Sequence, residues 1–172
     1  MDIKHVWAMP NSETFSIKPI EEFVWKYLRN SRVSIDPYAR NKGLADWTND
    51  INPNTSAEFH MDAEEFMAML IEKNVKADLI LLDGPYSPRQ VKEMYNDIGR
   101  KMKMEDAWGG ATKKRMRALV EQVSTPDCTV LYFGWNTNMM GKKAGWSIEE
   151  VLMVSHGSDH TNTICMAEKR II

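Results

Sequence analysis

The run Asp78-Leu-Ile-Leu-Leu-Asp83 constrains this chain more than any other stretch. Its centre is apolar without alternation, so both faces of the segment need cover, as in a parallel sheet with helices above and below. The flanking pattern agrees, because short β-branched runs alternate with longer stretches of helical period. Arg32–Asp36, Trp47–Ile51 and Thr129–Phe133 read as further strands, with Glu58–Met61 a weaker one. Ile17–Arg29 sets Ile20, Phe23, Val24, Tyr27 and Leu28 on one helical face, with Pro19 in the first turn. Asp62 followed by Glu65 has the capping-box spacing that starts a helix. Pro88–Met104 and Thr112–Val123 read as two more helices. Glu149–Ser155 and Thr161–Ala167 read as a closing antiparallel hairpin turning through Gly157-Ser158-Asp159. The expected fold is α/β: an open, twisted, mostly parallel sheet with a C-terminal antiparallel hairpin and helices on both faces.

Composition narrows the class. The 172 residues contain no repeat, low-complexity tract or dividing linker, so one domain over 1–172 is expected. Lys and Arg number 22 against 24 Asp and Glu, a net −2 that excludes a histone-like polycation but leaves room for a local basic patch. No apolar run approaches the roughly 18 residues of a membrane span. Met1–Pro10 has neither the basic-then-apolar order of a signal peptide nor a transit-peptide composition. The two cysteines, Cys128 and Cys165, make no disulfide framework or zinc pattern and read as core. His156 and His160 bracket Asp159 without a third ligand, so no metal is expected. These features read as a soluble protein of a reducing cytoplasm.

The expected strands end in a recurrent way: Asp36-Pro37-Tyr38, Asn49-Asp50-Ile51-Asn52-Pro53 and Asp83-Gly84-Pro85-Tyr86. Any one of these acids suits a turn or a helix cap. Three of them, at the ends where open α/β sheets hold ligands, point to a shared crevice.

Asp83-Gly84-Pro85-Tyr86 resembles the Asp-Pro-Pro-Tyr motif of S-adenosylmethionine-dependent amino-methyltransferases, above all the adenine-N6 DNA methyltransferases, here in a small, phage-like, single-domain form. The resemblance runs from about Phe15 to Arg170 and implies a Rossmann-like class I methyltransferase fold. Thr14-Phe15-Ser16-Ile17-Lys18-Pro19 is similar to that family's leading segment, which implies that Phe15 and Lys18 pack against the methionine end of the cofactor. Val33–Tyr38 is similar to its first strand, implying cofactor contacts from Asp36, Tyr38 and, in the next turn, Asn41. Thr48–Pro53 resembles the second strand, so Asp50 would grip the ribose hydroxyls, and Asp62 matches the position that meets the cofactor adenine. Two positions depart from the pattern. Ala39-Arg40-Asn41-Lys42 stands where the family has Gly-x-Gly, and Asn41 is the residue expected to take a left-handed turn there. Gly84 replaces the first Pro of the motif but keeps its carbonyl. No segment is long enough for a separate target-recognition domain.

The implied reaction moves a methyl group from S-adenosylmethionine to the N6 amine of adenine in DNA. The amine lone pair is delocalised into the ring, so acceptors for both N–H hydrogens help; Asp83 and the Gly84 carbonyl would be those acceptors, with Pro85 and Tyr86 completing the site. Tyr86 would stack on a base taken out of the helix. Lys113, Lys114 and Arg115, with Lys142 and Lys143, would contact phosphate, and Trp108 would stack; the competing reading is a solvated helix face. Two alternatives stay open. One is a non-catalytic nucleic-acid-binding relative of the same fold, and the other a methyltransferase acting on RNA or a small amine. A C5-cytosine enzyme is disfavoured, because neither cysteine follows a proline as its nucleophile does.

Overall fold

A computed structural model describes residues 1–85, 88–101, 110–157 and 159–171. Among these, seven strands form one sheet in the order β1-β6-β7-β5-β4-β2-β3. The strands are β1 (Asp2–Trp7), β2 (Ser34–Asp36), β3 (Trp47–Thr48), β4 (Ala77–Leu82), β5 (Ser124–Gly134), β6 (Trp146–Ser155) and β7 (Thr163–Arg170). The helices are α1 (Lys18–Leu28), α2 (Ala63–Glu72), α3 (Pro88–Asp97) and α4 (Gly110–Val123). β1 pairs with β6, β2 with β3 and β4, and β4 with β5, all parallel. β7 alone runs antiparallel, between β5 and β6. The sheet is therefore the expected one, mostly parallel with a C-terminal antiparallel pair.

β4 behaves as its unbroken apolar run requires. Leu79 and Leu81 pack into the cluster with Ile20, Phe23 and Val24 of α1, whereas Ile80 and Leu82 face Phe66, Met67 and Leu70 of α2 and Met116 and Val120 of α4. Alternate residues of one strand thus feed cores on opposite faces. Truncating such a Leu to Ala typically costs about 2–5 kcal/mol. α2 starts where its sequence says, with Asp62 Oδ1 accepting from the backbone N–H of Glu64 at 2.8 Å and of Glu65 at 3.4 Å.

Several boundaries differ from the sequence reading. Glu58–Met61 forms no strand but a single parallel bridge, Asn49 to Phe59. β5 begins at Ser124 and absorbs Pro126 in a register shift against Ala77–Leu79, a place where a missing N–H costs the ladder little. α3 ends at Asp97, where Gly99 turns with φ +70°. β1 was not legible at all: it adds to the outer edge of β6 with little of its surface buried, so burial leaves no mark on its sequence.

Candidate active site

β2 leads to β3 on one side, and the chain then crosses back to β4 on the other. Such a reversal opens a crevice at the carboxyl ends of the strands. A cavity of about 900 Å³ lies there. Asn49, wholly buried, organises the segments around it. Its Nδ2 donates to the carbonyls of Pro37 (3.2 Å) and Met61 (3.0 Å), and its Oδ1 accepts from the Met61 N–H at 3.0 Å. One side chain thereby ties together the ends of β2, β3 and the segment leading to α2. That clamp brings Tyr38, Asn41, Asp50, Asp62 and Asp83 to one cavity wall.

Asp50 does two things at once. Its Oδ1 accepts the Asn52 N–H at 2.8 Å, which caps the turn before Pro53, and its Oδ2 accepts the Arg40 N–H at 3.1 Å. A carboxylate has about four acceptor directions, so these bonds leave capacity for ligand hydroxyls. Arg40, not Asn41, takes the left-handed turn, with φ +49°. For a residue with a Cβ this costs roughly 1–2 kcal/mol. The turn is held by Asp50 on its backbone and by an Arg40 Nη1 bond to the Ser12 carbonyl. Asn41 instead braces the turn, accepting from Ser56 N at 3.3 Å and donating to Glu13 Oε1 at 3.4 Å. The segment between β1 and α1 is thus strapped across the strand ends.

Asp36 lies beneath the cavity with no exposed surface. Its Oδ1 accepts the Tyr38 N–H at 3.0 Å, but its Oδ2 has no partner among the described residues. Burial, helped by the nearby Asp83 and Asp50 carboxylates, pushes the pKa of its carboxyl up to about 8. The Asp36 carboxyl is accordingly mostly neutral at pH 7. An uncompensated buried charge would be far more costly than this proton.

A second cavity, of about 490 Å³, adjoins the first. Ser12, Arg40 and Gln90 border both. Asp83 and Pro85 line the larger cavity and Gly84 lines the smaller, so consecutive motif residues stand on the two sides of a partition. The larger cavity is strongly acidic: Glu13, Glu64, Glu93 and Asp97 join the strand-end acids, against Arg40 and Arg115.

The remaining expected residues divide. Phe15 is buried in the α1-side core, its ring 4.9 Å from that of Phe133, and Lys18 is exposed at the start of α1; the cavity walls include neither. Arg115 borders the larger cavity and pairs with Glu64 at 2.9 Å. Lys113 Nζ donates to Tyr132 Oη at 3.0 Å near the end of β5, and Lys114 is exposed on the same helix start. Lys142 and Lys143 were expected on the same face and are not brought there. They sit in a short 3-10 turn that leads directly into β6, which begins at the opposite, amino-terminal end of the parallel strands. Tyr86 and Trp108 lie outside the described residues. Cys128 and Cys165 are buried; burial pushes the Cys128 thiol up to about 12 and that of Cys165 well above its usual value, so neither presents a thiolate.

Sequence reasoning missed Arg40, Gln90 and Trp135. Trp135 follows Gly134 directly after a buried strand, the same position that flagged the acids, and that signal was available. Arg40 and Gln90 carried none, because their roles depend on two cavities meeting.

No protein-family profile and no curated protein matches the sequence. Solved structures do. TrmN from Thermus thermophilus superposes with a TM-score of 0.57 at 11% identity, over 90% of this chain and 49% of that one. NSun6 from Pyrococcus horikoshii, solved with SFG, gives 0.52 at 15% identity over 86% and 50%. The Escherichia coli protein yhhF, provisionally named a methyltransferase, gives 0.52 at 12% identity over 95% and 91%. The chain spans about half the length of the first two. Its fold is that of the Rossmann-like S-adenosylmethionine-dependent methyltransferases.

Proposed function

We propose that this protein binds S-adenosylmethionine in the larger cavity and methylates the exocyclic N6 amine of adenine in nucleic acid, DNA in the first instance. One observation carries the reading: Asp83 and Pro85 border one cavity and Gly84, between them, borders the other. A group transfer between two bound molecules needs two compartments meeting at the reacting atoms, and the motif stands where they meet.

The larger cavity suits the cofactor's charges. Its acid surplus favours a sulfonium and an ammonium group, and Arg40 is the cation nearest to hand for a carboxylate. Asp50 would take the ribose hydroxyls, Asp62 would meet the adenine, and Tyr38 and Asn41 would close the wall. When bound, the cofactor supplies an electrophilic methyl group on sulfur. The chain does the rest. Asp83 accepts one amine N–H and the Gly84 carbonyl the other, which turns the nitrogen lone pair toward the methyl carbon. Asp83 would also take up the surplus proton of the amine as it is methylated. Tyr86, next in the motif, would stack on the base.

Single-stranded or looped RNA is the second reading. Its support is the thin basic face: of the α4 cations Arg115 alone lines the crevice, and Lys142 and Lys143 lie at the far end of the sheet. That leaves little to grip a long duplex backbone. Incubation with methyl-labelled cofactor and matched DNA and RNA oligonucleotides, followed by nucleoside mass spectrometry, tests both. Labelled N6-methyladenosine or its deoxy form supports the reading. No transfer, with the Asp83→Ala variant indistinguishable from wild type, overturns it.

A further inference from the structure

The smaller cavity has a different character from the larger one. Arg40 and Asp159 border it with one charge of each sign, and Asn11 and Gln90 contribute neutral amides. His156, buried in its wall, faces the Ala8 carbonyl through Nδ1 at 2.9 Å and the Thr163 hydroxyl through Nε2 at 2.8 Å. A carbonyl can only accept, so Nδ1 donates to Ala8, and the Thr163 hydroxyl occupies Nε2. Trp135 forms a further part of the wall and is 45% exposed, unusual for an indole at the end of a buried strand. β4 and β5 stay paired to Leu82 and Tyr132, and Gly84 and Trp135, just beyond those ends, line the same cavity. A compartment of this kind suits a flat, uncharged ring with apolar faces and a polar edge.

We propose that the smaller cavity holds the substrate's single unstacked base, with Trp135 as its stacking wall and Asn11 and Gln90 as the amides that read its edge. The proposal deepens the methyltransferase reading and rests on it for the identity of the base. With both N6 hydrogens taken by Asp83 and the Gly84 carbonyl, an amide NH₂ donating to adenine N7 would read the remaining edge. Asn11 Oδ1 already accepts the Glu13 N–H at 2.9 Å, so its NH₂ is the group left to donate toward a ring nitrogen. Asn11 lies on the strap between β1 and α1, so base selection would come from that segment. Gln90 comes from α3.

The test uses the full chain and a short single-stranded oligonucleotide with one adenine among thymines. Tryptophan emission is followed as it binds, without cofactor, and calorimetry measures cofactor binding separately. Adenine-dependent quenching is expected in the wild type and should be lost in Trp135→Phe, although the other five tryptophans remain. Trp135→Ala should weaken oligonucleotide binding roughly five- to a hundredfold, the range for losing one base–aromatic stack. Trp135→Phe should recover most of that binding, and cofactor affinity should stay within twofold in both. Asn11→Ala should erode the preference for adenine over a thymine-only strand. Oligonucleotide affinity unchanged in Trp135→Ala, or quenching that persists in Trp135→Phe, overturns the proposal. Because these arms need no turnover, a failure here is distinguishable from a failure to transfer methyl groups.

Discussion

Aspartates sit at both ends of the central strands, and the two ends treat them in opposite ways. At the amino end Asp78 is mostly buried, yet its carboxylate accepts the backbone N–H groups of Arg32 and Val33 and the Arg32 Nε at 2.8 Å. Arg32 also reaches Asp127 at 2.8 Å. Burial pushes the Asp78 carboxyl up, but those bonds outweigh it and hold the group below the ordinary carboxylate range. At the carboxyl end Asp36, Asp50 and Asp83 crowd one another, and Asp36 is pushed up to about 8. One acid is held charged by donors from within the chain; the other keeps its proton among neighbouring carboxylates at a cavity. A strongly shifted acid of the second kind is the sort that collects at functional sites.

The contrast breaks most visibly at Asp83. Asp83→Ala should lower methyl transfer by more than about a hundredfold, since an acceptor used in the transition state is removed. Cofactor affinity should move little, read by calorimetry alongside rates. An equally damaging Asp78→Ala in a folded protein would erase the distinction between the two ends.

Stability should show the reverse order. Asp78→Ala strands the N–H groups of Arg32 and Val33, and a loss of about 1–3 kcal/mol is expected in urea unfolding. Transfer by the folded fraction should persist.

The two ends also predict opposite pH slopes. Folded Asp36 keeps a proton that the unfolded chain releases above its ordinary value of 3.8, so its contribution to stability is present below 3.8 and lost as pH rises toward 8. Asp78 is shifted the other way: its contribution is present above 3.8 and lost as pH falls through its lowered value. Asp36→Asn should flatten the decline between pH 4 and 8 in thermal melts. If the slope there is unchanged, Asp36 is not the neutral member of the cluster.

The smallest effect is expected from the far-end lysines. Changing Lys142 and Lys143 together to Ala should leave the salt dependence of nucleic-acid binding untouched, because they sit away from the crevice. Changing Lys113, Lys114 and Arg115 should flatten it, by roughly 0.9 log units per log unit of salt for each duplex phosphate that is no longer neutralised. Filter binding across a salt series separates the two sets.

Much of this molecule was legible in residue order because local rules governed it. An unbroken apolar run had to be a doubly covered strand, and Asp62 before Glu64 and Glu65 had to begin a helix. The strand-end acids announced a crevice because α/β sheets bind ligands at that end. Where position depends on how distant segments meet, the order of residues was silent. It favoured Asn41 for the left-handed turn, yet Arg40 takes it, because Asp50 and Ser12 are there to hold an arginine and Asn41 is occupied with Ser56 and Glu13. Lys142 and Lys143 follow a strand that ends at the crevice, but the chain has already returned to the far end by the time they occur. Periodicity and capping act over a few residues and can be read from sequence alone. The proton on Asp36, the strap across the strand ends and the second cavity arise from groups dozens of residues apart, and only the folded chain brings those within reach of one another.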